Sequence, residues 1–148
     1  MADELALLIA DVYEAAGALR RSGEAIASSR GQTQARWQVL SVVSDTPQTV
    51  AGAARRLGVA RQGVQRLAND LVGEGLAAFR TNPDHRGSPL LALTPDGERV
   101  LREITALAAE AHRSLAVGLP EADIAAARTL LRRLVEEVRR REAETPGG

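Results

Sequence analysis

The chain has 148 residues, 45% of them hydrophobic and 26% charged, with a formal net charge of +0. This composition is typical of one soluble globular protein rather than of a disordered segment. Cysteine is absent and only two histidines are present, which excludes disulfides and cysteine nucleophiles and argues against a metal site. Because only three residues are aromatic, the core must be aliphatic, and this favours close-packed helices.

The charge is unevenly distributed along the chain. Residues 1–19 carry −4, residues 20–94 carry +5 and residues 95–148 carry −1. A neutral protein with a basic central part is a pattern often seen in DNA-binding dimers. All 19 basic residues are Arg. A GC-rich genome explains this bias, and so does a preference for bidentate contacts with phosphate and guanine; composition does not separate the two.

No segment has the pattern of a membrane span or a signal peptide. The apolar run at residues 5–10 is far shorter than the roughly 20 residues that a transmembrane helix needs. It also follows two acidic residues, where a signal peptide would carry positive charge. We therefore expect a cytoplasmic protein without a membrane partner.

Two helices are predicted in the first third of the chain. Apolar residues recur at steps of three and four over residues 3–29, which is the period of an amphipathic helix. A second helix is predicted over residues 33–44, with Trp37 on its apolar side. The sequence Asp45-Thr46-Pro47 then breaks the pattern.

A helix-turn-helix follows. Thr49 is placed to cap a short helix over residues 50–57, which Gly58 ends. A second helix is predicted from Arg61 to about residue 74, with an apolar stripe on one side and Gly75 at its end. The turn between these two helices is about three residues long, which is typical of the motif.

The remainder is predicted to be a β-hairpin and two long helices. Residues 76–80 and 89–93 are short apolar segments separated by turn-forming residues, and such a hairpin after a helix-turn-helix forms a wing. Thr94 is placed to cap a helix that runs to about residue 116. A final amphipathic helix follows, and residues 143–148 are expected to be a disordered tail.

The helix that begins at Arg61 has an unusual polar face. Away from the apolar stripe lie Arg61, Gln62, Gln65, Arg66 and Asn69. Guanidinium and amide groups are the forks that read base edges in the DNA major groove. An ordinary solvated face is the alternative, but such faces usually mix both charge signs. Gly63, within the same helix, either lets a base or phosphate approach closely or is a tolerated defect.

The expected wing tip contains Asp84, His85 and Arg86. A thin arm with an Arg suits the narrow, electronegative minor groove. Asp84 would hold that Arg or pin the hairpin through a bond to the backbone. The alternative is an ordinary exposed loop that contains an Asp and an Arg and does not bind DNA.

Residues 37–98 resemble the MarR family of bacterial transcriptional regulators. The resemblance rests on the order and spacing of several segments: the helix over residues 34–42 with Trp37, the helix over residues 50–57, Gly58-Val59-Ala60-Arg61-Gln62-Gly63-Val64-Gln65-Arg66-Leu67, Leu71…Gly75-Leu76, Asp84-x-Arg86 and Leu93-Thr94-Pro95-Asp96-Gly97. The flanking helices match in order and length.

The resemblance implies a mostly α-helical fold with a small β-hairpin wing. The winged helix-turn-helix lobe would span residues 34–94, and residues 3–30 and 95–142 would form dimerisation helices. The polar face of residues 61–69 would enter the major groove, Arg86 would enter the minor groove and Asp84 would brace the wing. Thr49 and His85 complete the predicted DNA-binding set.

The chain departs from the family pattern in two places. Ala60 stands at the cap of the recognition helix, where Ser or Thr is common, so a cap of about 1 kcal/mol is expected to be missing. Gly87-Ser88-Pro89 follows Arg86, where many members carry another charge.

The apolar stripes of the first and the last two helices predict a homodimer, and the alternative is that these helices cover one another in a monomeric bundle. The resemblance also implies that the dimer binds double-stranded DNA and responds to a small aromatic or anionic ligand. Trp37 and Tyr13 are candidate ligand contacts, and a place in the core is the alternative for Trp37.

The function predicted is a sequence-specific, ligand-responsive repressor of a pseudo-palindromic operator. The alternative is a dimeric helical protein-interaction module without specific DNA binding. We expect no enzyme, cofactor or metal, because no nucleophile–base pair, phosphate loop or ligand cluster is present in the sequence.

Overall fold

Six helices and three short strands make up residues 3–145, the part of the chain that the computed structural model describes. In chain order they are α1 (Glu4–Ser28), α2 (Gln34–Ser44), β1 (Gln48–Thr49), α3 (Val50–Leu57), α4 (Arg61–Gly73), β2 (Ala77–Arg80), β3 (Leu90–Leu93), α5 (Pro95–Ala116) and α6 (Glu121–Glu144). The predicted mostly helical fold with a small wing is confirmed. The last helix continues two residues into the segment expected to be a disordered tail, and residues 146–148 lie outside the described part.

Of the two helices of the helix-turn-helix, α3 has a side-chain cap and α4 has none, and the sequence predicts both. The Thr49 hydroxyl accepts a hydrogen bond from the Gly52 N–H at 3.0 Å and so caps α3. Gly58 ends α3 in the left-handed region at φ 69°, which only glycine adopts at no steric cost. Helix α4 starts at Ala60 without a side-chain cap. The turn between α3 and α4 is therefore set by Gly58.

The wing is part of a three-stranded antiparallel sheet with the order β1-β3-β2. Strand β3 pairs with β2 in the register Ala77↔Leu93 and with β1 in the register Gln48↔Leu91. The sequence predicts only the hairpin of β2 and β3. A two-residue strand is too short to show an alternating pattern, so β1 is visible only through its pairing.

The core lies between α2, α3, α4 and the sheet and is aliphatic, as expected. On α4 the predicted apolar stripe is confirmed, because Val64, Ala68 and Leu71 are all fully buried. The other large side chains that are fully buried are Val39, Leu40, Val43, Leu91 and Ile104. Burying one such side chain stabilises the fold by roughly 1.5–3 kcal/mol, so the inner side of α4 holds it firmly in place.

Helix α5 begins against the backbone that leaves α4. The Thr94 hydroxyl donates to the Gly75 carbonyl oxygen at 2.6 Å and accepts from the Gly97 N–H at 3.1 Å. The Thr94 N–H donates to the Leu76 carbonyl oxygen at 3.2 Å. A Cβ atom at Gly97 would lie 1.9 Å from that same oxygen. We call this contact the Thr94–Gly97 joint; it ties the exit of α4, the end of β3 and the start of α5 together.

The chain divides into two compact units between Ala109 and Glu110, inside α5. Helix α1 belongs to the first unit: the Glu24 carboxylate accepts from the Gln34 N–H at 3.0 Å. Helix α1 is therefore attached to α2 within this unit. The assignment of residues 34–94 to a DNA-binding lobe and of residues 3–30 and 95–142 to dimerisation stays a prediction.

The second unit consists of the end of α5 and α6. None of the described residues of α6 is buried. Near its end, hydrogen bonds from Arg140 and Arg141 lower the pKa of the Glu137 carboxyl to about 2, so Glu137 stays charged at neutral pH. Pairs at this helical spacing support an exposed helix, but the unit lacks a core of its own.

Substituting Gly97 with Ala should destabilise the protein strongly. The new methyl group would overlap the Leu76 carbonyl oxygen, which belongs to the backbone and can move away only if α5 separates from the sheet. Overpacking costs roughly 1–3 kcal/mol and occasionally more, and we expect a loss at the upper end of that range in the free energy of unfolding by urea. Gly73→Ala is the matched control, because its methyl group would meet no atom within 4 Å. A Gly97→Ala protein as stable as the control would contradict the described packing.

Candidate nucleic-acid interface

The outer face of α4 presents the five polar residues that the sequence singles out. Arg61, Gln62, Arg66 and Asn69 are exposed and Gln65 is half-buried. The Gln65 side-chain amide donates to the Asn69 side-chain oxygen at 3.1 Å. This bond leaves the Gln65 oxygen free to accept and both Asn69 amide hydrogens free to donate. The face therefore offers forked donors and a free acceptor, which are the groups needed to read base edges.

Gly63 lies on the same helix and faces open space. A Cβ atom at this position would meet nothing within 4 Å. Packing inside the protein therefore does not require glycine here. Open space fits both interpretations of Gly63, as a position that a base or phosphate approaches closely and as a tolerated defect.

Asn82 holds the loop of the wing in shape. Its side-chain amide donates to the Ser88 carbonyl oxygen at 3.0 Å, and its side-chain oxygen accepts from the Asp84 N–H at 3.1 Å. It is the one polar residue among the buried side chains of the described chain, with 8% of its surface exposed. Two further backbone bonds close the loop, from His85 to Asn82 and from Ser88 to His85.

Within residues 3–145 the side chain seen to bond inside the wing loop is Asn82, and the expectation that Asp84 braces the wing stays a prediction. Asn82 makes both bonds because an amide both donates and accepts, whereas a carboxylate only accepts. Within residues 3–145 no ion pair joins Asp84 to Arg86 or engages Arg86 at all. Asp84, His85 and Arg86 are all exposed at the tip, so the Arg86 guanidinium is available to a partner.

A groove of about 180 Å³ separates α4 from the wing. Its lining residues come from the start of α3, the start of α4 and the base of the wing: Thr49, Val50, Ala51, Arg61, Gln65, Phe79, Gly87, Ser88 and Pro89. The structure thus brings three of the predicted residues, Thr49, Arg61 and Gln65, to one cleft. Helix face and wing are two sides of a continuous surface.

Phe79 and Ser88 are lining residues that sequence reasoning missed as site residues. Phe79 belongs to β2, where a buried aromatic is expected, yet 36% of it is exposed. Strand β2 does not alternate between buried and exposed positions, so its pattern did not single out Phe79. The available signal was a large aromatic residue two positions before a polar loop.

The two candidate ligand contacts do not come together within one chain. Trp37 is half-buried, and its ring carbon Cζ3 would lie 3.4 Å from a Cβ at Gly23 of α1. Tyr13 lies ten residues before Gly23 on the same helix, which is about 15 Å along the axis, and it is 75% exposed. Trp37 therefore packs against α1, and Tyr13 stands apart from it.

Other kinds of site have no support in the described residues. Within residues 3–145 no group of three or more His, Asp or Glu side chains is placed to hold a metal ion. No described helix is both long enough and apolar enough to cross a membrane.

The sequence and the fold both match known proteins. The model of the MarR family matches residues 31–86. Uncharacterized proteins of Mycobacterium tuberculosis and Mycobacterium bovis are 60% identical over 135 residues, which is 91% of this chain and 94% of theirs.

Solved structures of regulators share the fold at low sequence identity. The transcriptional regulator PA3341 has a TM-score of 0.80 at 24% identity and covers 90% of this chain and 98% of its own. A MarR-family regulator from Rhodococcus sp. RHA1 has a TM-score of 0.76 at 20% identity, over 90% of this chain and 96% of its own. CouR from Rhodococcus jostii RHA1, bound to p-coumaroyl-CoA, has a TM-score of 0.76 at 21% identity, over 89% and 92%.

Replacing Asn82 with Ala should loosen the wing, whereas Asp84→Ala should not. The Ala variant at position 82 leaves the Ser88 carbonyl and the Asp84 N–H without their partner. Because both bonds lie in a partly exposed loop that water can reach, we expect a loss of about 1 kcal/mol per bond. The measurement is hydrogen exchange of the loop amides together with urea unfolding. Equal behaviour of the two variants would show that Asn82 does not hold the loop.

Proposed function

Because the chain belongs to the MarR family of transcriptional regulators, we propose that it is a ligand-responsive repressor that binds a pseudo-palindromic operator as a homodimer. The observation that carries the DNA-binding part is the continuous surface of the α4 face, the groove and the wing. Such a regulator works on chromosomal DNA, so we place it in the cytoplasm.

In this proposal α4 and the wing divide the recognition of DNA. Arg66, Gln62 and the paired Gln65 and Asn69 lie exposed or half-exposed on α4, and they would contact base edges in the major groove. The unpaired Arg86 at the wing tip would enter the minor groove, whose negative potential attracts Arg. Asp84 and His85, which are exposed beside Arg86, and Thr49 at the start of α3 complete the proposed DNA-binding set.

Exposed apolar side chains support a dimer. On α1 the exposed set is Leu5, Leu7, Ile9, Val12 and Leu19, and on α6 it is Ile124, Leu130, Leu131, Val135 and Val138. Monomeric soluble proteins rarely expose large apolar patches. A second copy would cover them, and two-fold symmetry would then place the two α4 helices on half-sites about 34 Å apart.

Ligand response is the regulatory part of the proposal. CouR, which has the same fold, binds p-coumaroyl-CoA, an aromatic and anionic compound. We propose the same chemical class of ligand for this chain, with Trp37 and Tyr13 as candidate contacts. A ligand that binds better to a dimer whose α4 helices are not about 34 Å apart would release the operator.

Removing Arg66 and Arg86 should affect DNA binding in different ways. Arg66→Ala should cost about 1–3 kcal/mol and relax the preference at one base position of each half-site. Arg86→Ala should weaken binding and lower the salt slope, the dependence of the logarithm of the binding constant on the logarithm of salt concentration, by about one unit per half-site. The reason is that one cation near the phosphates is lost.

The measurement compares sites selected from random duplex DNA and their affinities at several salt concentrations. Arg102→Ala, which removes an exposed Arg of α5, is the control. If Arg66→Ala selects the same DNA sequences as the wild type, the face of α4 does not read bases through Arg66.

The dimer is tested with two matched substitutions. Val135 on α6 and Val59 in the turn between α3 and α4 are similarly exposed, at 46% and 54%. A charge in an apolar interface costs several kcal/mol, so Val135→Arg should sediment as a monomer or dissociate at far higher concentration. Val59→Arg should remain a dimer. A wild-type protein that sediments as a monomer would contradict this part of the proposal.

A further inference from the structure

We infer that the groove between α4 and the wing holds one sugar–phosphate unit of the DNA backbone, with Arg61 against the phosphate and Phe79 against the deoxyribose. This inference rests on the proposed function and assigns the groove a partner within it. It also changes the role of Arg61, which the sequence predicts to read bases.

The position of the groove suggests its occupant. One wall is the start of α4, proposed for the major groove, and the other is the base of the wing, proposed for the minor groove. The strand of sugars and phosphates is what separates the two grooves of a duplex. A protein that enters both from one side must therefore pass this strand between its two elements.

The polar lining of the groove suits a phosphate. Arg61 is exposed at the first position of α4, and no acidic side chain occurs among the described lining residues. Thr49 and Ser88 bring two hydroxyls. The Thr49 oxygen already accepts from Gly52, so its own hydrogen is left to donate. Arg and hydroxyl side chains and backbone N–H groups supply most phosphate contacts in protein–DNA complexes.

The apolar lining suits the sugar next to that phosphate. Phe79 is a partly exposed ring that lines the groove together with Val50, Ala51 and Pro89, although its partner in the sheet, Leu91, is fully buried. A deoxyribose in this groove of about 180 Å³ would cover the exposed part of the ring and remove it from water.

This assignment divides the polar face of α4 into two parts. Arg61, which lines the groove, sets the register of the protein on the DNA backbone. Arg66, which lies more than one turn further along and does not line the groove, is left to read a base. Contacts to phosphates position a protein, whereas contacts to base edges specify sequence.

Substitutions of Arg61 test the phosphate contact. On an operator selected by the wild-type protein, Arg61→Ala should lower the salt slope by about one unit per half-site and leave base preferences unchanged. Arg61→Lys should restore most of the slope, since Lys binds phosphate as a point charge but does not reproduce a bidentate contact with guanine. A single neutral methylphosphonate in each half-site should weaken the wild type and have little effect on Arg61→Ala.

Substitutions of Phe79 test the sugar contact. Phe79→Ala should weaken binding several-fold without altering the salt slope or the base preferences, and Phe79→Leu should retain most of the affinity. Thermal unfolding of both variants checks that the sheet is intact. If Phe79→Ala is unstable, the comparison of Phe79→Leu with the wild type decides the question, with a small loss of affinity expected.

The outcomes separate the inference from the proposed function. A relaxed base preference in Arg61→Ala, or a failure of Arg61→Lys equal to that of Arg61→Ala, would overturn the phosphate assignment while leaving DNA recognition intact. Full affinity of Phe79→Ala would overturn the sugar contact. A wild-type protein that selects no operator would instead overturn the proposed function itself.

Discussion

The arrangement of the DNA-facing surface depends on one close backbone contact, the Thr94–Gly97 joint. Its hydrogen bonds connect Thr94 with the carbonyl groups of Gly75 and Leu76, at the exit of α4 and the start of β2. The missing side chain of Gly97 lets α5 approach that backbone. Because β3 ends where α5 begins, any rotation of the start of α5 moves the helix and the wing together.

The absence of buried aromatics determines how the lobe is built. Trp37 of α2 is half-buried against α1, Tyr13 is 75% exposed and Phe79 is 36% exposed. The core is filled instead by Val, Leu, Ile and Ala, whose small volume lets the helices pack closely. The three aromatic residues lie outside this core: Trp37 packs against α1, Tyr13 is exposed on α1, and Phe79 lines the groove that Arg61 also lines.

Helices were predictable from the sequence, whereas the details of the wing were not. The stripe of Val64, Ala68 and Leu71 and the cap at Thr49 are local patterns, so they appear in the sequence. Strand β1 depends on pairing with residues some forty positions later. The role of Asn82 depends on which backbone groups the loop brings close, so no local pattern in the sequence singles it out. The groove forms only when α3, α4 and the wing come together, so apart from Phe79 no local pattern in the sequence indicates it.

The most direct test of DNA recognition by helix and wing together is chemical footprinting of the complex on a selected operator. Dimethyl sulfate reports on guanines in the major groove, and hydroxyl radicals report on the sugars along the minor groove. The account predicts two protected major-groove segments about one helical turn apart, each bordered by a protected minor-groove segment. Cleavage of the borders should return in the Arg86→Ala protein. Major-groove protection without any minor-groove protection, or a single unpaired footprint, would contradict the account.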